Sequence, residues 1–283
     1  MDFLHELAAE PLTSVFLLSV VTALILRALW RLQARLLAGT ASELLCMNAT
    51  LFIKPERRHD FLECIQRAEV ETNQEPLAVL YLYGEDEQTP NTFHVHQEYK
   101  GREGFDAHKL TKHYDAWRRF AATDPFTAPP EGYVFAAALV PSAAAPTEAP
   151  LLCMNVRLTV KPERREEFLR EIAADQRGTM RDEPLAKRML VGEDEDAPNT
   201  FHLHEQARSP PRPTAPPQPA RPPPPLSPTP RAPFAPQFCR GREGFEAHMA
   251  APHFGPWQAF VDSQPFTEGL LSSSYYPGPR LSS

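Results

Sequence analysis

From Leu44 onward the chain switches between two hydrophobic periods, and it runs through the same switches twice. Leu44–Lys54 is an apolar run with Leu51, Phe52 and Ile53 at its end, which predicts a β-strand. Pro55 stands where a first helical turn tolerates proline, and Phe61, Leu62, Ile65 and Ala68 then recur at helical spacing. Pro76 opens a second strand, Leu77–Tyr83, and Gly84-Glu85-Asp86 turns the chain into a third, Asn91–Tyr99. Gly101 and Gly104 flank a short helix carrying Phe105 and His108. A further helix carries His113, Trp117 and Phe120 on one face, and Gly132–Val140 closes as a fourth strand. The order is β-α-β-β-α-β, the ferredoxin-like split pattern.

Residues 46–127 and 153–267 are two copies of one sequence. Both read CMN, then KPERR, FL, EPLA, GEDE, PNTFH, GREGF, two histidines, W, F and PFT, in that order. The second copy repeats the elements as strand Leu152–Lys161, helix Pro162–Arg177, strands Leu185–Val191 and Asn199–Gln206, helices Glu243–His248 and His253–Asp262, and strand Gly269–Tyr276. A repeat of about a hundred residues is the size of a small domain, not of a solenoid unit. The expected fold is therefore α+β: two ferredoxin-like domains, 44–140 and 152–278, joined by the small-residue and proline linker 141–151. Each sheet has one face covered by its helices, so the uncovered faces are expected to pack on each other.

Two segments stand outside this pattern. Pro11–Leu26 carries no charge, and continuing to Trp30 gives about 20 residues, enough to cross hydrocarbon. Acidic residues precede the run and arginines follow it, so residues 1–43 are expected to form an uncleaved single-pass anchor (11–30) and stalk, with both domains on the cytoplasmic side; an organelle membrane fits the same pattern. Residues 207–238 hold 14 of the 32 prolines and are expected to be a disordered insertion in the second domain.

The net charge of −7 gives no electrostatic reason to expect a nucleic-acid partner. Cys46, Cys64, Cys153 and Cys239 form no CxxC pair, so neither a zinc site nor a disulfide framework is expected. In the third strand His94, His96 and Glu98 share one face, opposite Phe93, Val95, Gln97 and Tyr99, and His202 and His204 repeat the arrangement. His-x-His is half of a metal site, but no further ligand is evident on that face, and the expectation is a polar surface where the two domains meet. The helical pairs, His108 with His113 and His248 with His253, lie on or beside apolar stripes and face a core or pocket, where an imidazole can move a proton.

Each copy resembles a domain of the antibiotic biosynthesis monooxygenase (ABM) family. The resemblance rests on a first strand ending in Lys54-Pro55 and Lys161-Pro162, and on helices with Phe61-Leu62 and Phe168-Leu169. It continues in Asn91-Thr92-Phe93 and Asn199-Thr200-Phe201, and in His108 to His113-Tyr114 and His248 to His253-Phe254. It implies a dimeric α+β barrel, here built as a pseudo-dimer within one chain. It also implies oxygenation of a small aromatic, quinol-like or ketonic molecule without metal, flavin or other cofactor. The first-strand asparagine of such enzymes corresponds to Asn48 and Asn155; the third-strand tryptophan is replaced by Tyr99. A histidine that haem-degrading relatives need is replaced by Arg118 and Gln258, so haem chemistry is not expected. The implied site residues are Asn48, Tyr99, His108, His113, Asn155, His248 and His253, with the domain-one pocket preferred. The alternative is a non-catalytic small-molecule binder or scaffold of the same fold.

Overall fold

The structure, a computed structural model, describes residues 43–142, 151–208, 248–269 and 271–278. The anchor expected at 11–30, and most of the linker and the insertion, lie outside the described residues. Among the described residues no helix is long and apolar enough to cross a membrane.

Domain one runs β1 (Glu43–Phe52), α1 (Arg58–Thr72), β2 (Ala78–Glu85), β3 (Thr92–Lys100), α2 (Gly101–His108), α3 (Lys112–Ala121) and β4 (Glu131–Ala138). Domain two runs β5 (Leu151–Thr159), α4 (Arg165–Asp182), β6 (Ala186–Glu193), β7 (Thr200–Arg208), α5 (Phe254–Asp262) and β8 (Leu271–Tyr275). Pro55 and Pro162 each open a 3-10 turn ahead of the long helix, and α4 extends past the expected Arg177. Ala207 and Arg208, expected in the insertion, belong to β7 and pair with Leu152 and Leu151. Both sheets are antiparallel, ordered β2-β3-β1-β4 and β6-β7-β5-β8.

The repeated motifs that are not apolar hold the frame. Lys54 Nζ donates to the backbone and carboxylate of Asp124 (2.8 and 2.7 Å), tying the strand end to the loop after α3, and Lys161 does the same to the Gln264 carbonyl (2.8 Å). Asn91 and Asn199 take left-handed backbone angles (φ 61° and 62°), which asparagine tolerates. Their N–H groups donate to Glu85 and Glu193, which also accept from Arg58 and Arg165.

Strand alternation gives each sheet two buried faces. Met47, Ala49 and Leu51 of β1 pack with Phe61, Ile65, Val95 and Trp117 under the helices. Leu44, Cys46, Phe135 and Ala137 point the other way, and their cluster includes Leu190 of domain two, so the second face is covered by the other sheet. The edges meet as well. Gly84 bridges Gly278, Asp86 bridges Tyr275, and Phe135 bridges Asp194. A Cβ on Gly84 would lie 2.2 Å from the Tyr276 carbonyl oxygen, and one on Gly192 would lie 2.1 Å from that of Ala136. The glycine of each GEDE motif is thus required by the other domain's backbone.

The polar contacts across this interface are asymmetric. Asn48 Nδ2 donates to the Leu203 carbonyl (3.2 Å), and the rings of His96 and His204 stack at 3.4 Å. Arg188 reaches both carboxylate oxygens of Glu98 (2.5 Å), whose side chain is wholly buried. The positions equivalent to Glu98 and Arg188 in the opposite copies are Gln206 and Leu80.

Candidate functional site

Between the domain-one sheet and its helices lies a cavity of about 290 Å³. β1 contributes Met47, Ala49 and Leu51, β3 contributes Val95 and Gln97, and the helices contribute Phe105, His108, His113, Tyr114 and Trp117. Thr111 caps α3 by accepting from the Tyr114 N–H and donating to the His108 carbonyl (2.8 Å), which fixes the short turn between the two histidines. Their rings converge on one carboxylate: His108 Nδ1 and His113 Nε2 each lie 2.7 Å from Glu75 Oε1. The other nitrogen of His113 faces Glu71 (3.2 Å). Burial lowers the pKa of His108 and outweighs the hydrogen bond and charge of Glu75, so at neutral pH the ring is uncharged. With Nδ1–H donating to Glu75, the lone pair sits on Nε2 of a cavity-lining ring.

Domain two repeats the arrangement around a cavity of about 140 Å³. His248 Nδ1 and His253 Nε2 lie 2.5 and 2.8 Å from Glu183 Oε1. Burial opposes a charge on His248, but the Glu183 hydrogen bond and the charges of Glu183, Glu205 and Asp175 outweigh it and hold its pKa above the ordinary value. In each domain the ligand atoms of the three residues lie within 4.8 Å of one another. Two histidines and a carboxylate suit a divalent first-row metal; the contacts seen here are those of hydrogen bonds. The domains differ beside the second histidine, because Gly178 replaces Glu71. A Cβ at Gly178 would stand 2.3 Å from His253 Cγ. Gly178→Ala is expected to displace that ring, break its bond to Glu183 and cost about 2–3 kcal/mol. The melting temperature should fall by several degrees, whereas Gly255→Ala in α5, with nothing within 4 Å of the new Cβ, should be neutral or stabilising.

Asn48 and Asn155 lie on the opposite sheet faces from the helical cavities. They line a cavity of about 120 Å³ between the sheets, with Tyr133, Arg157 and His202. His96 and His204 donate from Nδ1 to Asn48 and Asn155 (both 2.7 Å), and His94 and His202 donate to Asp86 and Asp194 (2.9 and 2.8 Å). Each His-x-His ring thus has its own partner within the interface, with His96 Nε2 also facing the buried Glu98 carboxylate (3.1 Å). Burial pushes both stacked rings, His96 and His204, well below the ordinary histidine pKa, and a positive neighbour acts in the same direction. This has a measurable sign. Below about pH 6.5 the unfolded chain takes up a proton that folded His96 does not, so folding stability drops as pH falls. The stability advantage of the wild type over His96→Asn should therefore be largest above pH 7 and shrink by about 1.4 kcal/mol per pH unit below 6. A difference that is flat between pH 7 and 5 in urea titrations would contradict the burial argument.

The structure thus brings His108 and His113 together, and likewise His248 and His253, but places Asn48 and Asn155 elsewhere. Tyr99 is fully buried beside the cavity, on the same sheet face as Gln97. Its ring packs on Phe105 and His108, and its hydroxyl donates to Gln97 Oε1 (2.6 Å). Sequence reasoning missed Glu75, Glu183 and Gln97. A signal for the glutamates was present, since EPLA opens the second strand of both copies.

Residues 44–119 match the family model of the antibiotic biosynthesis monooxygenase family. Among solved structures, a candidate monooxygenase from Lactobacillus acidophilus NCFM is similar over 83 % of this chain and 93 % of its own, with 13 % identity and a TM-score of 0.61. A second candidate monooxygenase, from Fusobacterium nucleatum subsp. nucleatum ATCC 25586, covers 84 % and 93 % with 12 % identity and a TM-score of 0.62. An anthrone oxidase-like protein covers 85 % and 93 % with 10 % identity and a TM-score of 0.51. At such identities the likeness concerns the fold. No curated protein matches the chain significantly. With its strand order, its helix-covered cavity and this match, the domain spanning residues 44–119 belongs to the antibiotic biosynthesis monooxygenase family, and the second half of the chain repeats its fold.

Proposed function

We propose that the chain is a tandem, pseudo-dimeric barrel whose domain-one cavity is the site of a cofactor-independent monooxygenase acting on a small aromatic, quinol-like or ketonic molecule. The observation that carries this reading is an uncharged histidine, His108, held by Glu75 on the wall of a largely apolar cavity. His108 Nε2 accepts the acidic O–H or C–H proton of the substrate, leaving an anion rich enough in electrons to reduce oxygen. The substrate carbon forms a bond to oxygen, the O–O bond of the resulting peroxide breaks, and the proton returned by His108 leaves with water. The balance is one CH2 or its quinol equivalent plus O2 giving C=O plus H2O. Tyr99 acts as a positioning residue: its hydroxyl occupies Gln97 Oε1 and leaves the amide NH2 as the donor for a substrate oxygen. The apolar walls exclude the water that would solvate the anion.

The test is oxygen uptake by the purified full chain with anthrone or a 1,4-hydroquinone, followed with an oxygen electrode. Consumption above the uncatalysed rate is expected. If neither compound is consumed, and neither binds by calorimetry, the reading fails for this substrate class. Residues 11–30 remain a proposed membrane anchor, checked by whether carbonate extraction leaves the chain in the membrane pellet.

A further inference from the structure

The two helical cavities share their Glu-His-His cluster but have diverged in charge. Asp175 on α4 stands where domain one has Ala68, and Glu205 on β7 stands where it has Gln97. Both line the second cavity with His248. Asp175 is only 2 % exposed, and its Oδ1 has no hydrogen-bond partner. A buried carboxylate oxygen is costly unless something donates to it, either its own proton or a group from outside. Burial raises Asp175 to about 7 and raises Glu205 as well, so near neutral pH a proton is one such donor for part of the time. Among the described residues the rest of the wall is mostly apolar, with Met154, Leu158, Ile172, Leu203 and Val261 beside the polar Gln258 and Ser272, and Trp257 adds an aromatic face of the kind that attracts cations.

We propose that the domain-two cavity binds a small amphipathic cation, an ammonium group on a single ring or short apolar body, with Asp175 and Glu205 as its counter-ions and Trp257 as its wall. The volume of about 140 Å³ suits one ring with a short arm. The reading is independent of catalysis in domain one, whose cavity carries neither acid. Ammonium binding favours the ionised carboxylates and is opposed by a proton on His248. These groups and Glu183 face one another, so affinity rises from pH 6 to pH 8.

The test is calorimetry of the full chain at pH 8 with benzylamine, protonated at this pH, and with its neutral analogue benzyl alcohol. Benzylamine should bind at least tenfold more tightly. Asp175→Ala and Glu205→Gln, each installing the residue that domain one carries at that position, should remove the preference while leaving the melting curve cooperative; either variant suffices if the other fails to fold. Equal binding of the two compounds, no binding of either, or a preference that survives both substitutions overturns the proposal. So does binding of Zn²⁺ to this cluster without any binding of benzylamine, which would make the site a metal site.

Discussion

Replacement of His108 by glutamine is expected to lower turnover in the domain-one cavity by about 10²–10⁴-fold, the range that a positioned general base supplies. The fold should tolerate the change. Glu75 keeps the His113 donor at 2.7 Å, and a glutamine amide can replace the lost one, so the stability cost should be about 1 kcal/mol. The pH profile gives an independent readout. The base must be neutral to accept a proton, and burial lowers the pKa of His108, so kcat/KM of the wild type should stay level through pH 7 and fall only below about 6.5. Loss of activity with an unchanged profile in Gln97→Ala would place Gln97 in oxyanion binding and not in proton transfer. Full activity in His108→Gln would remove His108 from the mechanism.

The second large effect is on stability. Arg188→Ala is expected to cost about 3–5 kcal/mol, because it leaves the Glu98 carboxylate buried without its counter-charge. The pair itself need not stabilise the fold over an apolar alternative. The double variant Glu98→Gln with Arg188→Leu places on each side the residue that the other copy carries, and it should recover most of the loss. Urea unfolding should show the midpoint moving with an unchanged slope. A cost below about 1 kcal/mol for Arg188→Ala would mean that water reaches Glu98. The pair also discriminates between partners. Two copies of domain one would set each Glu98 against Leu80, with no counter-charge, and two copies of domain two would set each Arg188 against Gln206, so each domain favours the other over itself.

Much of the architecture was legible because each element's period is written twice. The helix spacing of Phe61, Ile65 and Ala68, the alternation of Phe93, Val95 and Gln97, and the Lys-Pro strand ends place the elements to within a few residues. The helical histidine pairs were legible for the same reason. The glutamates they bind recur in both EPLA motifs, but a glutamate before a proline looks like any surface turn, and Glu75 reaches its histidines across 33 and 38 residues, so the repeat marks them without assigning their partners. Asn48 is a different case. It lies with Cys46 and Thr50 on the face of β1 away from the helices, so a first-strand asparagine implied by resemblance does not bring it to the helical cavity. Strand parity places Tyr99 on the face of Gln97, but says nothing about whether α2 will cover it. The acids of the second cavity become visible only when the copies are set against each other and both are mapped onto a cavity wall.

The bridge between Gly84 and Gly278 also governs how the chain is made. β2 is an edge strand of its sheet, and the segment that meets this edge lies roughly 190 residues further along. At ribosomal rates of about 5–20 residues per second, β2 therefore waits on the order of 10–40 s for its cover, with open backbone donors and acceptors facing water or a chaperone. The nascent first half is most exposed to edge-to-edge aggregation in this interval, and slow synthesis through the second half would lengthen it.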